Sequence, residues 1–253
     1  MVKRVESEKL RVKSCYIIFC LFMLATGTFA GSGDYAFLAK KYFLQGRYGA
    51  AYGQYESALR EARKEADLAA EGRILTSMAT LATHAMQYED AKKLFDLVRV
   101  GDLDEKGKEN FYKAYMEFYN LQDEYKQAFE IASKHSFKKA SAAFLGEAAI
   151  AAAGSKNNAE ADAYLKRIKK SNSPGQLAFY RARIADLSGE KAKELYENAL
   201  RFSSEKKQYF ISGIILLRLA EITNDKNYAA RSASIFSELG LAKPFQKAEE
   251  AAK

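Results

Sequence analysis

From Asp34 onward the apolar residues recur at helical spacing. Ile74, Met78, Leu81 and Ala85 fall at i, i+4, i+7 and i+11, which is one face of a helix. Ala, Leu, Glu and Lys, all strong helix formers, dominate these stretches. No segment between turn signals alternates apolar and polar residues in the strand manner, so the pattern predicts an all-α chain. Breaks are expected at Gly46, Gly101, Gly154–Asn158, Ser171–Pro174, Ser188–Gly189 and Asn224–Lys226, leaving helix-length pieces that pair as hairpins.

Residues 1–30 read differently. Lys3, Arg4, Lys9, Arg11 and Lys13 precede an uncharged run from Ser14 to Ala30, and small residues at Thr28, Ala30, Gly31 and Ser32 follow its apolar stretch. Basic leader, apolar run and small-residue end are the parts of a secretory signal peptide cleaved after Ala30. The expected product is exported to the periplasm or cell envelope. The alternative is an inner-membrane anchor formed by residues 14–30, a run at the lower edge of spanning length. Both cysteines, Cys15 and Cys20, lie in this segment, so cleavage would leave a chain that neither forms nor needs disulfides.

The helical part repeats. Tyr35, Leu38, Ala39 and Tyr42 are followed by Gly46, Tyr48, Ala51, Tyr55, Ala58 and Leu59; the order recurs as Leu75, Met78, Ala79, Ala82, then Tyr88, Ala91, Phe95 and Val98. A third copy carries Tyr112, Tyr115, Met116, Tyr119, then Tyr125, Ala128 and Ala132; weaker copies follow through Ala161, Ala192 and Ile235. The alanines Ala51, Ala91, Ala128, Ala161 and Ala192 are 40, 37, 33 and 31 residues apart, near the period of about 34 of the tetratricopeptide repeat. The chain resembles that family over residues 32 to about 240. The resemblance implies hairpins at 32–65, 72–105, 109–139, 142–173, 175–205 and 208–239, stacked as a helical-hairpin solenoid and closed by a capping helix at 241–253.

Two departures shape the expectation. The family's proline at the end of the second helix is missing, and its turn glycine stands only in the first and fifth copies, so Gly49 to Ala70 is expected to run on as one helix. Gly49 and Gly53, four apart on one helix face, are expected to mark a close approach of the facing helix, because each costs roughly 1 kcal/mol against Ala.

Composition narrows the chemistry. With 253 residues, 48% hydrophobic and 28% charged, the chain can bury a large core. The formal net charge is +8 and falls to +5 if residues 1–30 are removed. That is too mild, and its clusters too sparse, for a nucleic-acid stripe, although charge and compartment allow peripheral contact with an anionic envelope surface. His84 and His135 sit on different repeats, with no second ligand at metal spacing. No nucleophile elbow, zinc-protease, P-loop or dinucleotide motif is present. Neither catalysis, a metal nor a cofactor is expected.

In the family, the first helices of successive hairpins line a concave groove for a protein or peptide partner. Carried over residue by residue, that groove comprises Lys40, Phe43, Leu44, Thr76, Thr80, Thr83, His84, Lys113, Glu117, Asn120 and Leu121. Thr80 and Glu117 stand where the family's clamp for chaperone carboxyl termini carries Asn, so that specificity is not expected. The function implied is a non-catalytic interaction scaffold. The alternatives are a membrane-anchored adaptor and an accessory of envelope polysaccharide processing.

Overall fold

The computed structural model describes residues 31–168 and 174–253. The signal-peptide reading of residues 1–30 lies outside them. The described residues form thirteen α-helices and no strand: α1 (Ser32–Leu44), α2 (Tyr48–Lys64), α3 (Leu68–His84), α4 (Tyr88–Asp96), α5 (Glu105–Asn120), α6 (Tyr125–Lys134), α7 (Ala142–Gly154), α8 (Asn158–Arg167), α9 (Pro174–Leu187), α10 (Lys193–Glu205), α11 (Tyr209–Thr223), α12 (Lys226–Glu238) and α13 (Ala242–Ala251). A 3-10 turn, Val100–Asp102, precedes α5. Among the described residues no helix is long and apolar enough to cross a membrane.

Side chains and backbone punctuate the helices together. Asp67, Asp104 and Ser141 each accept a hydrogen bond from a backbone N–H three residues on, from Ala70 at 2.8 Å, Gly107 at 2.7 Å and Phe144 at 3.2 Å. Many helix ends share one device: a residue in the left-handed region, after which the next N–H reaches back to the last turn. Arg47 donates to the Tyr42 carbonyl at 2.9 Å, Asp67 to Ala62 at 3.0 Å, Gln87 to Ala82 at 2.9 Å and Asn157 to Ala152 at 2.8 Å. Glycine fills the left-handed position at Gly46, Gly189 and Gly240, but Ala66, Met86, Asp123, Lys156, Lys207 and Asn224 adopt it too. The expected helix from Gly49 to Ala70 is therefore two helices. The chain turns at Ala66, and Asp67 caps the next start, so the missing glycine does not mean a missing turn.

Consecutive helices pack in pairs, α1 with α2 through α11 with α12, and α13 packs on α12. The first helices of successive pairs also touch, α1 to α3, α3 to α5, α5 to α7, α7 to α9 and α9 to α11, forming an inner layer. Ala51, Ala91, Ala128, Ala161 and Ala229 occupy the same place, three residues past the first residue of α2, α4, α6, α8 and α12, and all are fully buried. Ala192, just before α10, is buried as well. Small residues here let helices approach, and Tyr55, Phe95, Tyr196 and Phe236 fill the remaining space.

The close approaches lie elsewhere than Gly49 and Gly53. A Cβ on either of those would meet nothing within 4 Å, whereas one on Gly146 would fall 2.0 Å from the Tyr180 ring and one on Gly154 2.1 Å from Tyr125. α2 carries its two glycines on an open face.

The last hairpin returns to the first. Ile214, Leu217, Phe236, Leu239 and Ala248 share one apolar cluster with Ala39, Tyr48, Ala51 and Met78. The contacts are specific: Phe210 of α11 stacks on His84 of α3 with ring centroids 3.7 Å apart, Arg218 pairs with Asp123 at 3.2 Å, and Lys243 donates to the Met86 carbonyl at 3.4 Å. Gly46 lies so close to Leu239 that a Cβ would stand 2.5 Å from its methyl carbon. The helix at 242–251 packs on α12, places Phe245 and Ala248 in the same apolar cluster, and reaches the end of α3 through Lys243.

Candidate functional site

Because the sixth hairpin meets the first, the inner layer encloses space. A cavity of about 600 Å³ is lined by residues from every first helix: Phe43 of α1, Thr80 and His84 of α3, Lys113 and Glu117 of α5, Glu147 and Ile150 of α7, Phe179, Tyr180 and Arg183 of α9, and Phe210 and Ile214 of α11. Its size lies in the range of sites for small molecules and short segments.

Eight of the eleven sequence-predicted groove residues line it: Phe43, Leu44, Thr80, His84, Lys113, Glu117, Asn120 and Leu121. The other three do not. Lys40 is exposed, and Thr76 and Thr83 are buried, each hydroxyl donating to a carbonyl one turn back in α3, Gly72 at 2.8 Å and Ala79 at 2.8 Å. The residues missed by the sequence reading belong to the later copies: Glu147, Ile150, Phe179, Tyr180, Arg183, Phe210, Ile214 and Arg218. Glu147 and Ile150 sit one repeat length beyond the third copy's predicted residues, Phe179, Tyr180 and Arg183 two, and Phe210, Ile214 and Arg218 three, so the register extended past the third copy would have named them as first-helix residues, though not that the last of them meet the first.

A polar chain crosses the cavity wall. The Tyr48 hydroxyl meets His84 Nδ1 at 3.2 Å, His84 Nε2 meets Glu117 Oε1 at 2.9 Å, and Lys113 Nζ donates to Glu117 Oε2 at 3.0 Å. A carboxylate only accepts, so Nε2 carries a proton and donates to Glu117. Burial works against the charge of Glu117, yet the ammonium of Lys113 and the hydrogen bond from His84 hold its carboxyl well below the usual carboxylate range. Lys113 is raised in turn: burial opposes its charge, and Glu117 outweighs burial.

Glu147 stands opposite in character. Only 6% of it is exposed. Burial, reinforced by the negative charge of Glu117, pushes its carboxyl up to about 8, against the opposing influence of Asn120 and Lys113. It is chiefly protonated at neutral pH. Asn120 Nδ2 donates to both the Glu147 carbonyl and its Oε2, each at 3.0 Å. The carbonyl can only accept, which fixes the amide orientation and leaves Asn120 Oδ1 buried without a hydrogen-bond donor. Gln176 donates to the Tyr180 hydroxyl at 2.6 Å, and that hydroxyl is itself raised, by burial first and then by the charge of Glu147.

The arginines on the wall are neutralised. Arg183 pairs with Asp186 and Asp123, both at 2.9 Å, and Arg218 pairs with Glu221 at 2.8 Å and with Asp123. His135 lies away from the cavity, stacked on Tyr112 at 3.6 Å. Among the described residues no three His, Asp, Glu or Cys side chains gather to hold a metal ion. Chemically the cavity combines an aromatic and aliphatic wall with two carboxyl groups, one ionised and one neutral. In comparisons with known proteins, no family model matches the chain and no curated protein matches it.

Proposed function

We propose that the chain is a tetratricopeptide-like helical-repeat protein of the cell envelope, exported by residues 1–30, that binds a partner without catalysing a reaction on it. The observation that carries this reading is the cavity to which each of the six first helices contributes, because a shared inner surface of repeated hairpins is what such an array offers a ligand. The equivalently placed buried alanines support the repeat reading. The closure of hairpin six against hairpin one favours a chain end, a projecting side chain or a compact ligand over a long peptide running through. A preformed cavity spares the ligand part of the ordering cost of binding.

The non-catalytic reading draws on Glu117. An acid and an ionised carboxylate in one cavity is the arrangement of acid–base catalysis. Here, though, Lys113 and His84 hold Glu117 so far down that it is a poor proton acceptor at neutral pH.

Two measurements test the proposal. Filling the cavity with Thr80→Trp, in a variant that melts as the parent does, is expected to abolish capture of the partner from envelope extracts; undiminished capture refutes cavity binding. Mass spectrometry of the mature N-terminus is expected to find Gly31, whereas Met1 or Val2 supports the membrane-anchored form.

A further inference from the structure

We infer that the mouth of the cavity is a subsite for an anionic group, formed by Lys206 and Lys207, and that the ligand is a short amphiphile carrying one carboxylate or phosphate monoester on an apolar body. The inference rests on the reading that the cavity receives a ligand, and it specifies the ligand's chemistry.

Four of the residues that line the cavity are exposed to solvent, and they mark its mouth: Leu44 at the end of α1, and Lys206, Lys207 and Tyr209 where α10 turns into α11. The two sides of this rim meet at Gly46, where a Cβ would stand 3.8 Å from the Tyr209 ring. Leu44 is 67% exposed and Tyr209 39%, so apolar surface and positive charge share the rim. None of the four is acidic. The two acidic side chains that line the cavity, Glu117 and Glu147, belong to its inner wall.

Charge pairing singles out the same two lysines. Lys113 is matched by Glu117 at 3.0 Å, Arg183 by Asp186 and Asp123, and Arg218 by Glu221 and Asp123. Lys206 and Lys207 make no side-chain hydrogen bond or ion pair among the described residues, and Glu205, the next carboxylate along the chain, pairs with neither. The cavity's uncommitted charge is therefore positive and stands at its mouth. The backbone holds it there. Lys207 takes the left-handed conformation with φ 54°, and the N–H groups of Lys207 and Gln208 reach back to the carbonyls of Ser204 at 3.0 Å and Ser203 at 2.8 Å.

Inside the mouth the wall offers Phe43, Phe179, Phe210, Ile211 and Ile214 to an apolar body. The polar chain from Tyr48 through His84 and Glu117 to Lys113 is satisfied within itself, and it limits the depth open to hydrocarbon, which favours a short body over a long one. An anion at the rim meets two ammonium groups that have no counter-charge, a cation there is repelled, and a neutral group leaves both lysines as they were. Lysine binds as a point charge, so the rim accepts a planar carboxylate and a tetrahedral phosphate alike.

The test is calorimetric titration of the full chain, at low and at high salt, with probes that share one tail: octanoate, octyl phosphate, octanol and octylammonium. At low salt the better of the two anions is expected to bind about tenfold more tightly than the alcohol, and octylammonium more weakly than the alcohol. High salt should shrink the anion's advantage and leave the alcohol unchanged, because the rim charges face water. Comparing octanoate with octyl phosphate tells which headgroup the rim prefers. Dodecanoate should gain nothing over octanoate, and a steady gain with length overturns the short body. Lys206→Gln combined with Lys207→Gln, both on an exposed turn, should weaken the anions about tenfold and leave the alcohol as it was. Thr80→Trp, which fills the cavity, should abolish binding of anion and alcohol together; anions that still bind it undiminished are held by surface charge alone, and the subsite is overturned. Alcohol and anions binding equally at low salt, or anion affinity indifferent to the double variant, overturns the anionic subsite while leaving the cavity reading in place. Failure of every probe to bind overturns both.

Discussion

Replacing Glu147 with glutamine isolates the cost of a carboxyl group placed where its charge has no partner. In the unfolded chain a glutamate ionises near 4.3. In the folded protein Glu147 holds its proton up to about 8, through burial and the charge of Glu117. The folded state thus binds more protons than the unfolded state between these values, and stability falls as pH rises through the window. Each unit contributes about 1.4 kcal/mol, so the parent should lose about 3 kcal/mol between pH 5 and 7.5 through this one group. Glu117 does not interfere: held low, it is ionised in both states across the window. His135, lowered by burial and then by Lys134, titrates alike in parent and variant and drops out of the difference. Glu147→Gln should match the parent within about 1 kcal/mol at pH 5, where the acid and the amide are both neutral. Its advantage should then grow with pH to about 3 kcal/mol at pH 7.5, a shift of about 1 M in the urea midpoint for a domain of this size. Urea melts followed by circular dichroism at half-unit intervals of pH read this directly. A stability difference that stays flat from pH 5 to 7.5 refutes the claim that Glu147 is held neutral.

Further outcomes follow from packing and from the closure. Gly53→Ala should stabilise by about 1 kcal/mol in thermal melts, since the new methyl meets nothing within 4 Å and the helix gains a better former. Gly146→Ala should destabilise by about 2–3 kcal/mol, because its Cβ would lie 2.0 Å from the Tyr180 ring and must push it away from Glu147. Phe210→Ala removes the ring stacked on His84 and should cost about 1–2 kcal/mol. Hydrogen exchange should then quicken in α11 and α13 and not in α7 and α8, whereas a uniform increase would mean the closure is not a separate contact.

How far the sequence reached depends on the range of the interaction. The all-helical class followed from local periodicity, and Ala51, Ala91, Ala128 and Ala161 stood out because close helix packing admits nothing larger. Turn positions were less legible. Met86, Asp123 and Lys156 take a left-handed conformation usually left to glycine, because backbone hydrogen bonds and the packed helices on either side outweigh a local penalty of roughly 1–2 kcal/mol. The same competition hid the break at Ala66. Gly49 and Gly53 misled for the converse reason: spacing alone does not say which helix face is covered. For the site, His84, Lys113, Glu117 and Asn120 were reachable by register within the first three repeats. Their meeting with Phe210 and Arg218 was not, because it depends on the accumulated rotation of five hairpins, which no local pattern encodes.

The central claim is that the ligand lies inside the array, and site-directed photo-crosslinking tests it most directly. A benzophenone amino acid is placed at Leu121, on the cavity wall, or at Phe37, which is 73% exposed on α1 and does not line the cavity. Illumination in the protein's own compartment is predicted to give a covalent adduct from position 121 and none from position 37. An adduct from position 37 with none from 121 would contradict the account.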